Sequence, residues 1–281
     1  MTARLFLIAT LLSLSLSPRA WANTKVVCIG NSITRGCNGH NYPSKLQDLI
    51  GYQYIVVNYG VGNQTVLLEE GNPAYMRSSK FSTARNEEGD IIIAKFGTND
   101  SKVSVWSNTT QFKHDYNALI NAMTLPGRNP HILLCLPLPA FENSLQVQGA
   151  VIADSIIPAI RELAQENGYG LIDCHTPFIG HEEYFTDGVH PDSAGFELLA
   201  QTIHQGLIDY LSSSLNAPSN KSRFGVRTRS PSYADRRLVI LNPVQKRWQH
   251  GKCLYNLMGK IAPSTGSSTV RVLVEEAGRK K

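Results

Sequence analysis

The chain has 281 residues, 42% of them hydrophobic and 17% charged, with a formal net charge of +5. That composition excludes disordered and collagen-like classes and suffices to bury one core of ordinary domain size. Residues 213–281 hold fourteen Lys+Arg against three Asp+Glu, a balance of +11, whereas residues 1–212 hold thirteen against nineteen, a balance of −6. The basic character therefore belongs to the tail, where it reads as a solvated extension rather than a nucleic-acid surface.

Residues 1–22 read as a secretory leader. Arg4 precedes the apolar run Leu5–Leu16, Ser17-Pro18-Arg19 breaks it, and Ala20-Trp21-Ala22 has the small-x-small form of a cleavage site. The run is too short to span a bilayer comfortably, so the expectation is cleavage near Ala22, a secreted or periplasmic protein and no stable membrane insertion.

From residue 23 to residue 211, apolar runs of strand length alternate with segments of helical periodicity. Lys25–Ile29 predicts a strand, followed by the turn Gly30-Asn31-Ser32. Tyr42–Ile50 predicts a helix closed by Gly51, and Tyr54–Val57 a second strand before a Gly/Asn-rich loop from Asn58 to about Ala74. The near-continuous apolar run Asp90–Phe96 has the pattern of a strand covered on both faces. Phe112–Met123 predicts a helix after a Ser107/Asn108 start signal, and His131–Leu136 a fourth strand. Val147–Asn167 predicts a helix kinked near Pro158, Leu171–Cys174 a fifth strand, and Pro191–Leu211 a closing helix with Pro191 in its first turn. Such repeats predict an α/β fold of three α/β/α layers around a five-stranded parallel sheet of flavodoxin-like order, with its site beyond the carboxyl ends of the strands. Residues 212–235 shift to Ser, Asn, Pro and Arg and read as a linker. Residues 236–281 form a basic tail in which Arg237–Leu241, Cys253–Leu257 and Thr269–Val274 have strand character.

The five cysteines are Cys28, Cys37, Cys135, Cys174 and Cys253, with no C-x-x-C pair, and an odd count leaves at least one free thiol in a monomer. Cys28, Cys135 and Cys174 sit in apolar runs and read as small buried apolar residues.

Four polar segments follow the predicted strands. Ser32, after the first, is either a nucleophile presented at the sheet edge or a helix cap. Asn58 to Thr65, after the second, includes Gly60, Gly62 and Asn63 and suits close backbone approach to a ligand or, equally, a flexible loop. Gly97-Thr98-Asn99-Asp100, after the third, offers the Asn99 amide as a donor to an oxyanion, or as an ordinary turn residue. Asp187-Gly188-Val189-His190, after the fifth, either spaces a carboxylate and an imidazole so that Asp187 meets Nδ1 and Nε2 faces Ser32, or is an ordinary polar turn before a helix, the better reading for this segment taken by itself.

This order of Ser, Gly-rich loop, Asn and Asp-x-x-His resembles the SGNH hydrolases, the GDSL esterase/lipase family, over roughly Lys25 to Leu211. The resemblance implies Ser32, Asp187 and His190 as catalytic residues. It also implies an oxyanion hole from Ser32 N–H, the Asn99 amide and a backbone N–H of Asn63 or Gly62. Two departures stand out: Asn31 replaces the family's Asp before the nucleophile, and the family's oxyanion glycine falls in register on Asn63, one place after Gly62. Ser101, Lys102, Trp106 and Leu136-Pro137-Leu138-Pro139 resemble bacterial carbohydrate acetylesterases, with Trp106 either stacking on a sugar or covering the sheet edge. The expectation is a serine esterase hydrolysing O-acyl, mainly O-acetyl, esters of carbohydrates through an acyl-enzyme. The rivals are a lipase or thioesterase for longer chains and a non-catalytic sugar-binding module. No metal or organic cofactor is implied, and the expected partner is a small-molecule or glycan ester rather than nucleic acid. The tail is similar to C-terminal sorting regions of exported Bacteroidota proteins, which implies export machinery as a partner.

Overall fold

The computed structural model describes residues 23–216 together with three strands at 245–249, 252–260 and 269–274. The leader, most of the linker and the segment Arg237–Leu241 lie outside the described residues. The chain divides into two compact units after His204.

The sheet consists of β1 (Thr24–Gly30), β2 (Tyr54–Gly60), β3 (Ile91–Lys95), β4 (His131–Cys135) and β5 (Gly170–Ile172), all parallel, in the order β2-β1-β3-β4-β5. The helices are α1 (Ser32–Arg35), α2 (Tyr42–Ile50), α3 (Ser79–Asn86), α4 (Thr109–Met123), α5 (Gly149–Val151), α6 (Ile157–Asn167) and α7 (Ser193–Asn216). The first crossover steps one way along the sheet and the later ones step the other way. Right-handed crossovers then set α2 on one face and α3, α4 and α6 on the other. The direction reverses beside β1, the strand that leads into Ser32, so the loops after β1, β2 and β3 emerge together at one edge.

Alternation along the strands gives each face its own core. Val27, Ile29, Ile92, Ala94, Phe96, Ile132 and Leu134 join Phe112, Tyr116, Leu119 and Ile120 of α4 and Ile160 and Leu163 of α6 in one cluster. An aromatic row runs through it, with Tyr75–Phe96 centroids 5.1 Å apart and Phe96–Tyr116 5.9 Å apart. The alternate residues Cys28, Ile93, Lys95 and Cys135 point the other way, and all are buried. The thiols of Cys28, Cys135 and Cys174 are free and fully buried, and burial pushes the Cys28 thiol up to about 12.

Several boundaries differ from the sequence expectation for identifiable reasons. The predicted kink at Pro158 is a π-helical turn over Ile152–Ile156, just before α6, where the ring that lacks an N–H enters the helix. Pro191 is not in the first turn of the closing helix. It bridges to Phe185 as extended chain, and Asp192 caps the helix instead, its Oδ1 accepting the Gly195 N–H at 2.7 Å. The fifth strand is Gly170–Ile172 and stops short of Cys174. Helix α3, which the polar sequence SKFSTARN hides, buries Ala84 alone. In the C-terminal part, strands Gln245–Gln249, Lys252–Lys260 and Thr269–Val274 pair antiparallel in that order. No helix among the described residues is long and apolar enough to cross a membrane.

Candidate active site

Helix α1 begins directly after β1, and Asn31 is its cap: Asn31 Oδ1 accepts the Ile33 N–H at 3.0 Å. The Ser32 hydroxyl is therefore free of capping duty, and Ser32 Oγ lies 2.8 Å from His190 Nε2. Asn31 thus supplies the acceptor that an Asp at this position would supply, which accounts for the departure read in the sequence.

The Asp187–His190 turn brings the next two groups together. His190 Nδ1 is 2.8 Å from Asp187 Oδ2, while Asp187 Oδ1 accepts the N–H groups of Val189 at 3.0 Å and His190 at 2.8 Å. A carboxylate only accepts, so the Nδ1 proton faces Asp187 and the neutral ring leaves Nε2 to accept from Ser32. Burial alone would raise the Asp187 carboxyl; the hydrogen bonds from the His190 ring and the two backbone N–H groups outweigh it and hold it below the usual carboxylate range. The turn depends on Gly188, whose φ is +76° and where a Cβ would run into the Glu142 carbonyl oxygen.

The loop after β2 reaches the same edge. Val61 N–H donates to the Gly30 carbonyl at 3.0 Å, and at Gly60 a Cβ would collide with the backbone of Arg35 in α1. Asn63 has φ +62°, the left-handed conformation that Gly adopts freely and that Asn tolerates better than most residues. Gly62 does not share it, so the loop's glycine-like conformation falls on Asn63. Asn63 Oδ1 in turn accepts from Lys102 Nζ at 2.6 Å.

Asn99 sits on the turn after β3, and its Nδ2 donates to the Gln64 carbonyl at 3.1 Å. An amide has two N–H groups, so one fixes its orientation and the other remains for a ligand. Asp100 beside it is fully buried: its Oδ1 accepts the N–H groups of Val66 at 2.8 Å and Leu67 at 3.0 Å, and its Oδ2 that of Gly97 at 3.1 Å. Burial pushes its carboxyl up to about 6 against the pull of those hydrogen bonds. Asp100 therefore ties the Asn99 turn to the Asn63 loop, a role the sequence reading did not give it although it sits next to Asn99.

The segment after β4, also unread as part of the site, braces both sides. Phe141 N–H donates to the Gly188 carbonyl at 2.9 Å, and Gln148 Nε2 donates to the Ser101 carbonyl at 2.7 Å. Asn143 holds this segment folded, donating to the Phe141 and Val147 carbonyls and accepting from the Leu145 and Val147 N–H groups. Trp106 is half-buried and packs on the core with its ring 6.1 Å from Phe112, while its backbone N–H donates to the Lys102 carbonyl at 2.9 Å. Among the described residues no group of three His, Cys, Asp or Glu side chains is arranged to hold a metal ion.

Ser32, His190 and Asp187 form a continuous hydrogen-bonded chain from hydroxyl to carboxylate, beside loops rich in N–H donors. Such an arrangement can activate a hydroxyl toward an acyl carbon. Residues 28–198 match the model of the GDSL-like lipase/acylhydrolase family. The chain is 34% identical over 202 residues to an acetylxylan esterase of Xylanibacter ruminicola, covering 64% of this chain and 42% of that protein. This chain therefore spans less than half the length of that relative. Its fold is also that of a carbohydrate acetylesterase family member from Sinorhizobium meliloti, with a TM-score of 0.55 at 21% identity over 67% of this chain and 99% of that one. An acetyl xylan esterase shares it as well, with a TM-score of 0.53 at 22% identity over 65% and 99% of the two chains.

Proposed function

The chain belongs to the GDSL-like lipase/acylhydrolase family, and with it to the carboxylic ester hydrolases; from that premise we propose that it is an exported serine esterase removing O-acetyl groups from carbohydrates. The observation that carries the reading is the pair of 2.8 Å contacts linking Ser32 Oγ to His190 Nε2 and His190 Nδ1 to Asp187 Oδ2.

In the first step Ser32 Oγ attacks the acetyl carbonyl and its proton passes to His190 Nε2. Asp187 holds the tautomer and stabilises the imidazolium that forms. The carbonyl oxygen becomes an oxyanion, met by the Ser32 N–H, the remaining Asn99 N–H and the backbone N–H of Asn63. The imidazolium then gives its proton to the departing sugar hydroxyl, leaving an acetyl-enzyme. Water, deprotonated by the same imidazole, releases acetate and restores Ser32. Apart from that water, the groups these steps use belong to this chain and its substrate. The 34% identity to an acetylxylan esterase supports the carbohydrate part. The leader-like residues 1–22 support export.

Acetate release from acetylated xylan and from acetylated monosaccharides tests this reading. The wild type is expected to release acetate and S32A to release none above buffer. Cleavage of long-chain acyl esters in preference to acetyl esters would instead favour a lipase.

A further inference from the structure

We infer that Arg35 and Lys102 form a cationic subsite at the site rim that binds a carboxylate on the sugar, so that the preferred substrates are acetylated uronic-acid-bearing glycans. The inference rests on the ester-hydrolase reading and names the substrate class of the same site.

The two cations flank the Gly62-Asn63 turn. From one side, Lys102 Nζ donates to Asn63 Oδ1 at 2.6 Å. From the other, the Arg35 guanidinium lies over Gly62, where an added Cβ would stand 2.7 Å from Nη1. Arg35 is the last residue of the four-residue helix that starts with Ser32, so it stays within one helical turn of the nucleophile. Arg35 hydrogen-bonds the Cys37 thiol, and that thiol also lies close enough to Asp187 for its charge to act on it.

Neither cation has a carboxylate partner among the described residues, although residues 1–212 carry six more acids than bases. Lys25, Lys45, Lys113, Arg128 and Arg161 each lie within 4.0 Å of a carboxylate, whereas Arg77, Lys80, Arg85 and Lys95, like Arg35 and Lys102, have none among the described residues; of these Arg77 is taken up by backbone carbonyls and Lys80 lies over the Tyr59 ring. Asp187, the acid of that rim, already serves the His190 ring and two backbone N–H groups. Arg35 is exposed and Lys102 half-buried, and burial lowers the pKa of the Lys102 ammonium, as expected of a charge partly desolvated without an anion. An ammonium and a guanidinium provide eight N–H donors between them, and Asn63 takes one of the lysine's. A carboxylate accepts such donors in charge-assisted hydrogen bonds, whereas a neutral sugar hydroxyl gains much less.

The test uses matched twins: an O-acetylated uronic acid methyl glycoside and the corresponding neutral hexose, acetylated at the same position. The expected ratio of kcat/KM, uronate over neutral, is about tenfold or more at low salt and shrinks with ionic strength. In R35Q and in K102Q the ratio is expected to fall toward one, and because it is a ratio it is insensitive to a general loss of active enzyme. Cleavage of the neutral twin with no uronate preference, or a preference untouched by R35Q and K102Q, would overturn the subsite while leaving the esterase standing. Cleavage of neither twin would overturn both.

Discussion

The turn that carries Asp187 and His190 is held mainly by contacts within itself, with one distant brace from the Phe141 N–H to the Gly188 carbonyl, whereas the loop that carries Gly62 and Asn63 is held mainly by side chains from distant parts of the chain. In the first, the partners are three or four residues apart: Asp187 with the His190 N–H, and the Thr186 N–H and hydroxyl with the His190 carbonyl. In the second, Asp100 reaches back 34 residues to Val66 and Asp115 reaches back 47 residues to Leu68, while Asn99 and Lys102 hold Gln64 and Asn63. A proton relay needs fixed angles between adjacent groups, which a short turn provides. A loop of backbone donors needs to be positioned against other elements, and only long-range contacts do that.

The contrast predicts different costs for breaking each loop. The largest effect is expected for D187N: the turn keeps its shape, the imidazole loses the partner that fixes its tautomer, and kcat falls by about 1,000- to 10,000-fold with the circular dichroism spectrum unchanged. A loss under tenfold would mean that Asp187 does not serve the imidazole. G188A comes next. The left-handed φ and the Glu142 carbonyl both oppose a Cβ, so the turn must shift, at about 100-fold in kcat for a displacement near 1 Å.

D100N probes the non-local loop. Its amide group would turn a donor toward backbone donors, at about 2 kcal/mol of stability and about tenfold in kcat. The variant also reports on pH. The Asp100 carboxyl is raised to about 6 from an ordinary value near 4, so the folded state binds the proton more tightly than the unfolded state. Wild-type stability relative to D100N is therefore expected to fall as pH rises from about 4 to about 6 and to stay level above that. A flat difference across that range would place the Asp100 titration elsewhere. The smallest effect is expected at Asn63. N63A has to hold a left-handed conformation, at about 1 kcal/mol, whereas N63G relieves it and is expected to keep acetyl-ester turnover within about threefold of wild type. Thermal melts and initial rates of the two variants check the ordering.

The same contrast explains what the sequence disclosed. Strand runs such as Asp90–Phe96 and the helix Tyr42–Ile50 follow from periodicity, so the sheet and its order were legible. Asp187 and His190 are three residues apart in a recognisable pattern, and Ser32 follows a strand. Asp100 stood in plain view beside Asn99, yet its partners Val66 and Leu67 contribute backbone N–H groups, which leave no trace in residue type. Asn143 and Phe141 were silent for the same reason. Asn63, not Gly62, takes the left-handed conformation, and composition does not carry a dihedral angle. Asp192 as the cap of the closing helix was hidden by the stronger local signal of Pro191.

Covalent labelling with a fluorophosphonate, mapped by peptide mass spectrometry, tests the central claim most directly. A single adduct on Ser32 in the native wild type, absent from S32A and greatly slowed in H190Q, is the predicted result. A native wild type that cleaves acetyl esters yet stays unlabelled at Ser32, or carries the adduct on another residue, would contradict it.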